Sequence, residues 1–238
     1  MDEPHVSICM PYFNRIKPLL KTLRMYEDHG YFEHKHIRVN VCICDDGSMY
    51  EPAAKGTPEF PWLKIKTLPK KPQWASPSLA INIAATMSKS PLILLTSPEI
   101  YHPAPVLWEM VKQIKSIHDS VLAPTLAEKR NEDRTIRKQW VGHPVHRPAK
   151  YWWCQLLSRH LFEKVGGFDI RYTDSGKLGW DDDDFCERLN EANVNWKWLD
   201  DQYHVVHGMT PHRVSRSGTN KKLFKRIWGK DDTRDGIL

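Results

Sequence analysis

The sequence predicts an α/β fold with a mostly parallel central sheet flanked by helices. Short apolar runs, typical of buried strands, alternate with segments whose apolar residues recur every three or four positions, as in amphipathic helices. The run 91–96 (PLILLT) is almost wholly apolar, as expected for a strand covered on both faces of a parallel sheet. With 238 residues and a hydrophobic content of 40%, the chain is long enough to form one such domain.

Elements of the first half follow one another in regular order. Strands are predicted at 5–10, 38–44, 63–68 and 91–96. Helices are predicted from apolar residues at helical spacing, namely Ile16, Leu19, Leu20 and Leu23, then Leu79, Ile83 and Met87, then Leu107, Met110, Val111, Ile114 and Ile117. Because strands and helices alternate, we expect right-handed crossovers between parallel strands.

The second half is less regular. The segment 128–151 is charged and has no clean period, which predicts a long loop with short structure and a possible place on the binding face. A short helix is predicted over 158–165, and the alternation of tryptophans in 194–198 predicts a strand.

Four consecutive aspartates, Asp181 to Asp184, stand in the stretch 166–189 (GGFDIRYTDSGKLGWDDDDFCERL). Apolar residues after them recur at helical spacing, so the aspartates are predicted in the first turn of a helix that ends near Asn193. The positive end of a helix dipole suits carboxylates, and one or two need no further role. Four in a row repel one another, and crowded titratable groups are typical of sites. From this stretch alone, capping and function both remain open.

Charge and cysteine content bound the function classes. The net charge is +6, which favours anionic partners. Much of the excess lies in the segment 213–238, which is predicted as a basic tail or helix that is either solvated or in contact with phosphate or lipid headgroups. The five cysteines are an odd number, and three of them sit in strand-like runs, which favours buried thiols in a reducing compartment over a disulfide framework.

The amino terminus and the hydropathy predict a cytoplasmic location. The start, MDEPHVSICM, is acidic and lacks the basic region of a signal peptide. The longest apolar run is too short to span a bilayer. Peripheral membrane contact through the basic segment stays open as an alternative.

Three polar clusters, 11–15, 45–48 and 97–99, each follow a predicted strand. Because ligands of open parallel sheets bind at the carboxyl ends of the strands, the clusters could together hold a base and ribose, a diphosphate and a divalent cation. The first strand is not followed by Gly-x-Gly-x-x-Gly, and the chain has no Gly-Lys-Ser/Thr loop. Neither a dinucleotide-binding Rossmann site nor a P-loop is therefore indicated.

Four motifs occur in an order that resembles a known family. They are VSICMPYFNR, a strand ending in DDGS, LILLTSPEIYHP, and GGFD…GWDDDDFCERL. Their order resembles that of GT-A-fold glycosyltransferases, in particular glycosyltransferase family 2, with a C-terminal half similar to the galactosyltransferase-type GGFD…ED segment. The resemblance covers residues 5–210. It implies a single domain over 1–212 with a GT-A (Rossmann-like) sheet, followed by the basic segment 213–238.

The resemblance implies inverting transfer of a sugar from a nucleotide-diphosphate sugar, with UDP favoured, to a hydroxyl of a glycan or another acceptor. The donor-binding residues that it implies are Pro11, Asn14, Arg15, Asp45, Asp46 and Gly47. Of Asp45 and Asp46, one or the other would contact the base or ribose. Gly47 and Ser48 would shape the turn.

A metal ligand set is implied less fully. The family's Asp-x-Asp should follow the LILL strand, where this chain reads TSPE and keeps only Glu99. Glu99 would bind Mn²⁺ or Mg²⁺, which prefer oxygen ligands. His207, beyond the last strand, would be a second ligand, with His204 as the alternative. A weakened or lost metal site is the other interpretation.

The family's Glu-Asp pair matches Asp181 and Asp182, which makes Asp182 the candidate general base that removes the acceptor's proton. Asp181 would then hold the acceptor, while Asp183 and Asp184 would be structural. Trp180 and Tyr172 are expected to stack on the acceptor sugar, unless both pack under the GGFD loop.

Three other functions are open. A non-catalytic nucleotide-sugar or glycan-binding module is suggested by the incomplete metal motif. A nucleic-acid-binding protein is suggested by the charge and the 10 tryptophans, but these are scattered and no nucleic-acid motif is present, so no nucleic-acid partner is predicted. A nucleotidyltransferase would leave the GGFD…DDDD block unexplained.

Overall fold

The protein is built on a seven-stranded sheet, which we describe from a computed structural model. The structure describes residues 5–71, 75–114, 119–128, 139–142, 154–208 and 218–230. In chain order the strands are β1 (His5–Tyr12), β2 (Arg38–Asp45), β3 (Leu63–Thr67), β4 (Leu92–Thr96), β5 (Ile100–Tyr101), β6 (Ser120–Ala123), β7 (Leu126–Glu128), β8 (Gln139–Gly142), β9 (Cys154–Ser158), β10 (Asn195–Trp198) and β11 (Val205–His207).

The large sheet is mostly parallel. Its strand order is β10-β6-β9-β4-β1-β2-β3. Strand β9 alone runs antiparallel to its neighbours β4 and β6. The predicted α/β class with a mostly parallel central sheet is therefore confirmed. Strand β4 is buried along its whole length between β1 and β9, as its apolar sequence predicts.

A second sheet, of order β5-β11-β7-β8, lies beyond the end of β4 in sequence. Strand β11 pairs antiparallel with β5 and parallel with β7. In this register His207 lies opposite Ile100. The small sheet therefore fixes a histidine next to the residue that follows Glu99.

Helices flank the large sheet. They are α1 (Ile16–Asp28), α2 (Ala53–Gly56), α3 (Ser78–Thr86), α4 (Val106–Gln113), α5 (Arg159–Lys164), α6 (Arg171–Asp174), α7 (Asp181–Glu191) and α8 (Gly218–Trp228), with a 3₁₀ turn over Asp201–Tyr203. Ser158 caps α5 by accepting a hydrogen bond from the Leu161 amide at 3.0 Å. Among the described residues, no helix has the length and apolar character that crossing a membrane requires.

Helix α3 forms as predicted but buries a different face. Leu79, part of the predicted stripe, is 36% exposed, while the small residues Ala80, Ala84 and Ala85 are fully buried. They pack in one cluster with Cys9 of β1 and with the two cysteines of β2. Small side chains on both surfaces let the helix lie close to the sheet. The size of the side chains therefore determines which face of α3 is buried. All five cysteines are buried thiols outside any disulfide, as predicted.

Strands β6 and β9 are not predicted from the sequence. Strand β6 reads SVLA and β9 reads CQLLS, and neither has the unbroken apolar run that marks β4. Most of the charged segment 128–151 lies outside the described residues, apart from Glu128 at the end of β7 and strand β8. The predicted basic segment 213–238 contains α8, and its other residues, except 229 and 230, lie outside the described part of the chain.

Candidate functional site

The carboxyl ends of β1, β2 and β3 lie level with one another. The register places Tyr12 opposite Asp45 and Asp45 opposite Thr67. The loops that follow these strands therefore leave the sheet at one edge, where a ligand site is expected.

Asp45 is built into the turn that ends β2. Its Oδ1 accepts a hydrogen bond from the Ser48 amide at 2.9 Å, and its Oδ2 accepts one from the Ala53 amide at 2.8 Å. The residue has no exposed surface. Both carboxylate oxygens are thus used to hold the turn, and Asp45 offers none to a base or ribose.

Asp46 has a different environment. Its Oδ2 lies 2.5 Å from Lys71 Nζ, in an ion pair that leaves the Asp46 side chain 4% exposed. Burial raises the pKa of Asp46, and the Lys71 ammonium opposes that rise. Lys71 is absent from the predicted site, although its place in the loop after a third parallel strand could have indicated it.

Gly47 is needed for the backbone of the turn. Its φ is +83°, and a Cβ atom there would lie 2.2 Å from the Pro69 carbonyl oxygen. The Lys71 amide also donates a hydrogen bond to the Gly47 carbonyl at 3.0 Å. Only glycine allows this approach, which joins the turn after β2 to the loop after β3.

Asn14 joins the first loop to the same turn. It has a φ of +48°, and its Oδ1 accepts hydrogen bonds from the amides of Tyr50 and Glu51, both at 3.0 Å. The backbone amide of Asn14 donates a hydrogen bond to Ser48 Oγ at 2.8 Å. Pro11 is buried within β1. Asn14 therefore ties the loop after β1 to the turn after β2, while Pro11 is part of the buried strand.

Arg15, Glu99 and His207 meet near the end of β4. Arg15 forms an ion pair with Glu99 Oε1, and His207 Nε2 lies 3.9 Å from the same oxygen. The Gly208 amide donates to the Glu99 carbonyl at 2.7 Å. The pairing of β5 with β11 thus brings together two predicted metal ligands and a predicted donor residue.

Glu99 and His207 are the described residues that could hold a divalent cation. Glu99 is 5% exposed, and its Oε2 is buried without a hydrogen-bond partner among the described residues. A buried carboxylate oxygen left in this way is a ready ligand for Mn²⁺ or Mg²⁺. The described residues contain no group of three or more His, Cys, Asp or Glu suited to a metal, so Glu99 and His207 are at most a partial ligand set. His204 instead lies in its own turn, with Nδ1 2.9 Å from the Asp201 carbonyl oxygen.

The four aspartates occupy the first turn of α7, as predicted. Asp181, Asp183 and Asp184 are buried, whereas Asp182 is half-buried. Asp182 is therefore the member of the run with the most accessible side chain.

Asp184 holds α7 in place. Its Oδ2 lies 2.7 Å from Arg188, and its Oδ1 accepts a hydrogen bond from Trp228 Nε1 at 2.9 Å. Burial raises the pKa of Asp184, which Arg188 and Trp228 oppose. The carboxylate links α7 to α8.

The two aromatic residues expected to stack on a sugar are buried. Tyr172 has no exposed surface, and its hydroxyl lies 3.4 Å from Asp184 Oδ1, while Trp180 is 5% exposed and packs against Phe224 with ring centres 5.3 Å apart. The alternative interpretation therefore applies to Tyr172, because a ring with no exposed face cannot stack on a ligand. The two rings support the GGFD-to-aspartate loop and α8.

The loop between β3 and α3 connects the two halves of the site. Near its start Lys71 contacts Asp46. Near its end the Ser76 amide donates to the Lys177 carbonyl at 2.7 Å, and Ser76 Oγ lies 3.3 Å from the Gly179 carbonyl oxygen. One short stretch of chain thus touches both the turn after β2 and the loop that leads into α7.

Comparisons with known proteins show the fold. No protein-family description and no curated protein matches the chain. Among solved structures, a mannosyltransferase from Pyrobaculum calidifontis in complex with GDP-mannose and Mn²⁺ is 18% identical with a TM-score of 0.60, and the match covers 89% of this chain and 59% of that one. TarS of S. aureus is 15% identical with a TM-score of 0.60, over 87% of this chain and 37% of that one.

The catalytic domain of Drosophila β1,4-galactosyltransferase 7, in complex with xylobiose, is 12% identical with a TM-score of 0.58. That match covers 97% of this chain and 81% of the other. The chain spans less than two thirds of the length of the first two proteins. Together these likenesses show that the chain has the GT-A fold.

Proposed function

We propose that the protein is a glycosyltransferase that moves a sugar from a nucleotide-diphosphate sugar to a hydroxyl of a glycan or another acceptor. The observation that carries the proposal is the environment of Glu99. Its buried Oε2 lacks a hydrogen-bond partner among the described residues, and its Oε1 lies beside Arg15 and His207 where the strands of the GT-A sheet end. The fold is shared with a mannosyltransferase that was solved with GDP-mannose and Mn²⁺. UDP is our preferred donor nucleotide on the family resemblance.

The donor site follows from the loops at this edge. The Arg15 guanidinium supplies positive charge where a diphosphate would lie, and guanidinium groups match phosphate geometry. Asp46 and Lys71 form the polar wall that would face the base or ribose. Pro11, Asn14 and Gly47 hold the backbone of that wall, and Asp45 supports it from inside.

Glu99 and His207 would hold Mn²⁺ or Mg²⁺. Such an ion, when bound, would stabilise the negative charge of the departing diphosphate. Arg15 shares Glu99 Oε1, so its guanidinium would lie beside the same phosphates. Two positive groups at one leaving group suit a reaction in which charge develops on the diphosphate oxygen.

Asp182 would act as the general base. Its half-exposed position lets an acceptor hydroxyl approach, whereas the other three aspartates of the run are buried. The hydroxyl oxygen forms a bond to the anomeric carbon, the bond from that carbon to the diphosphate breaks, and the proton passes to Asp182. One displacement of this kind inverts the anomeric centre. Asp181 would help to position the acceptor.

A second candidate function is a binding module without transfer activity. The ion pair between Arg15 and Glu99 favours it, because the carboxylate that should bind the metal already has a cationic partner. Such a module would bind a nucleotide sugar and release no nucleotide diphosphate.

The test is release of nucleotide diphosphate from UDP-, GDP- and dTDP-sugars, with Mn²⁺ and with EDTA. We expect slow hydrolysis of one donor that is lost in EDTA and in Glu99→Gln, but not in the control Glu109→Gln. Release that persists in EDTA would support the transferase activity but contradict the proposed metal dependence. If no donor is hydrolysed, calorimetry and a broad panel of acceptors decide the rest. Donor binding without turnover on any acceptor supports the binding module, and no donor binding refutes both candidates.

A further inference from the structure

Helix α8 exposes a cationic face. Its sequence, GTNKKLFKRIW, has no acidic residue. Lys221, Lys222, Lys225 and Arg226 are all exposed. They form two pairs of like charge at i and i+4, an arrangement that destabilises a helix on its own. Something other than local preference therefore keeps this helix and its charges in place.

Buried contacts fix α8 against the loop that leads into α7. Asn220 is fully buried, and its Nδ2 donates to the Gly179 carbonyl at 2.9 Å. Phe224 is fully buried against Trp180. At the far end, Trp228 bonds to Asp184 of α7. The cationic face is thus held at a defined place beside the start of α7.

That place borders the candidate acceptor site. Lys221 Nζ lies 5.6 Å from the centre of the Trp180 ring, and Trp180 immediately precedes the aspartate run. The Debye length at physiological ionic strength is about 8 Å, which is longer than this separation. Lys221 would therefore attract an anion bound near Trp180. The other three cations continue the face along the helix.

We propose that α8 binds an anionic acceptor, a glycan that carries carboxylate, sulfate or phosphate groups. Its negative groups would lie along Lys221, Lys222, Lys225 and Arg226, while one of its hydroxyls reaches Asp182. The proposal rests on the proposed glycosyltransferase function and names the acceptor class for the same site.

The packing of α8 favours a glycan over a bilayer. Helices that lie on membranes insert an apolar face between the headgroups. In α8 the apolar residues Leu223, Phe224 and Ile227 pack in the cluster that contains Tyr172 and Trp180. Its exposed positions within 218–228 carry the four cations together with Gly218 and Thr219, while its apolar residues face the protein rather than a bilayer.

The test is direct binding without donor, by calorimetry, to oligogalacturonate, dextran sulfate and phosphomannan, with a neutral dextran as reference. A quadruple variant (Lys221→Gln, Lys222→Gln, Lys225→Gln, Arg226→Gln) removes the face. A matched variant with the same change of charge replaces the exposed residues Lys35, Lys55, Lys64 and Lys66 by Gln. We expect at least one polyanion to bind, to weaken about tenfold or more in the α8 variant, and to change little in the matched variant.

Equal losses in the two variants, equal binding of neutral dextran, or no binding of any polyanion would overturn the proposal. Binding only to vesicles of phosphatidylserine and phosphatidylcholine would identify lipid, not a glycan, as the ligand of α8 and would also overturn the proposal. Thermal unfolding of both variants shows whether they are folded. Nucleotide release from the donor alone tests the glycosyltransferase separately, because that assay contains no polyanion.

Discussion

Two runs of adjacent aspartates, one after β2 and one at the start of α7, use neighbouring carboxylates in different ways. After β2, Asp45 accepts hydrogen bonds from two backbone amides, while Asp46 forms an ion pair with Lys71. In α7, Asp184 binds Arg188 and the Trp228 indole, and Asp182 stays half-exposed. Each run thus contains one carboxylate that holds the fold and one, Asp46 or Asp182, that we propose for the site.

The two runs differ in what satisfies the structural carboxylate. Asp45 is held by amides of its own turn, so its role is local. Asp184 is held by a side chain of α7 and one of α8, so its role depends on tertiary packing. We infer that damage to Asp45 alters the donor side alone, whereas damage around Asp184 alters the acceptor side together with α8.

The largest expected effect separates Asp182 from its neighbours. Asp182→Asn should lower turnover about 10²- to 10⁴-fold, because general base catalysis contributes about that much, and should leave thermal unfolding nearly unchanged. Turnover is measured as release of nucleotide diphosphate in the presence of acceptor. Glu191→Gln, at the exposed end of the same helix, is the control and should keep wild-type turnover. A folded Asp182→Asn with wild-type turnover would show that another group is the base.

Next in size is the stability effect at the turn after β2. Asp45→Asn replaces one carboxylate oxygen by an NH₂ group, which cannot accept the hydrogen bond of the Ser48 or Ala53 amide. The free energy of unfolding should fall by about 1.5–3 kcal/mol, measured by urea denaturation. Asp28→Asn, at an exposed position, should change it by less than about 0.5 kcal/mol. Equal effects of the two substitutions would contradict the assigned role of Asp45.

A smaller effect is expected at the link between α7 and α8. Trp228→Phe keeps most of the ring but removes the donor to Asp184, which should cost about 1.5 kcal/mol, the lower limit for a hydrogen bond to a charged acceptor. Trp196→Phe is a matched control, because its indole donates to Asn190, a neutral acceptor in an exposed pair, at 3.1 Å. If both variants unfold at the same denaturant concentration, the indole of Trp228 does not anchor α8.

The smallest effect is a pH dependence at Asp46. Because burial raises its pKa, the charged form is disfavoured in the folded state, and folding is favoured most when Asp46 is protonated. Asp46→Asn should therefore unfold at slightly higher urea than wild type at pH 7. The difference should shrink as the pH falls through the raised pKa toward the ordinary range of aspartate.

The control for this pH series is the exposed Asp119→Asn, which makes the same change in net charge. Donor binding by Asp46→Asn should weaken at pH 7 even though the fold is slightly more stable. A variant less stable than wild type at every pH would mean that the ion pair with Lys71 outweighs the burial of the charge.

The sequence predicted the elements whose local signal is long enough. Strand β4 and helix α7 were found where apolar runs and helical spacing place them. It predicted α3 but not its buried face. Large apolar residues at helical spacing predict a face with Leu79 on it, whereas the buried alanines fit because the cysteines opposite them are also small. Strand β9 was missed because Gln155 interrupts its apolar residues, whereas β4 is an unbroken apolar run.

By itself the sequence determined the α/β class, the buried cysteines and the places where chemistry-bearing residues follow strands, because periodicity and strand ends are local properties. Only the tertiary structure decided which partner each aspartate of the two runs has, that Glu99 lies beside Arg15 and His207, and that Tyr172 packs under α8. These outcomes depend on contacts between residues far apart in the chain. Strand pairing and helix docking set those contacts, and no local pattern encodes them.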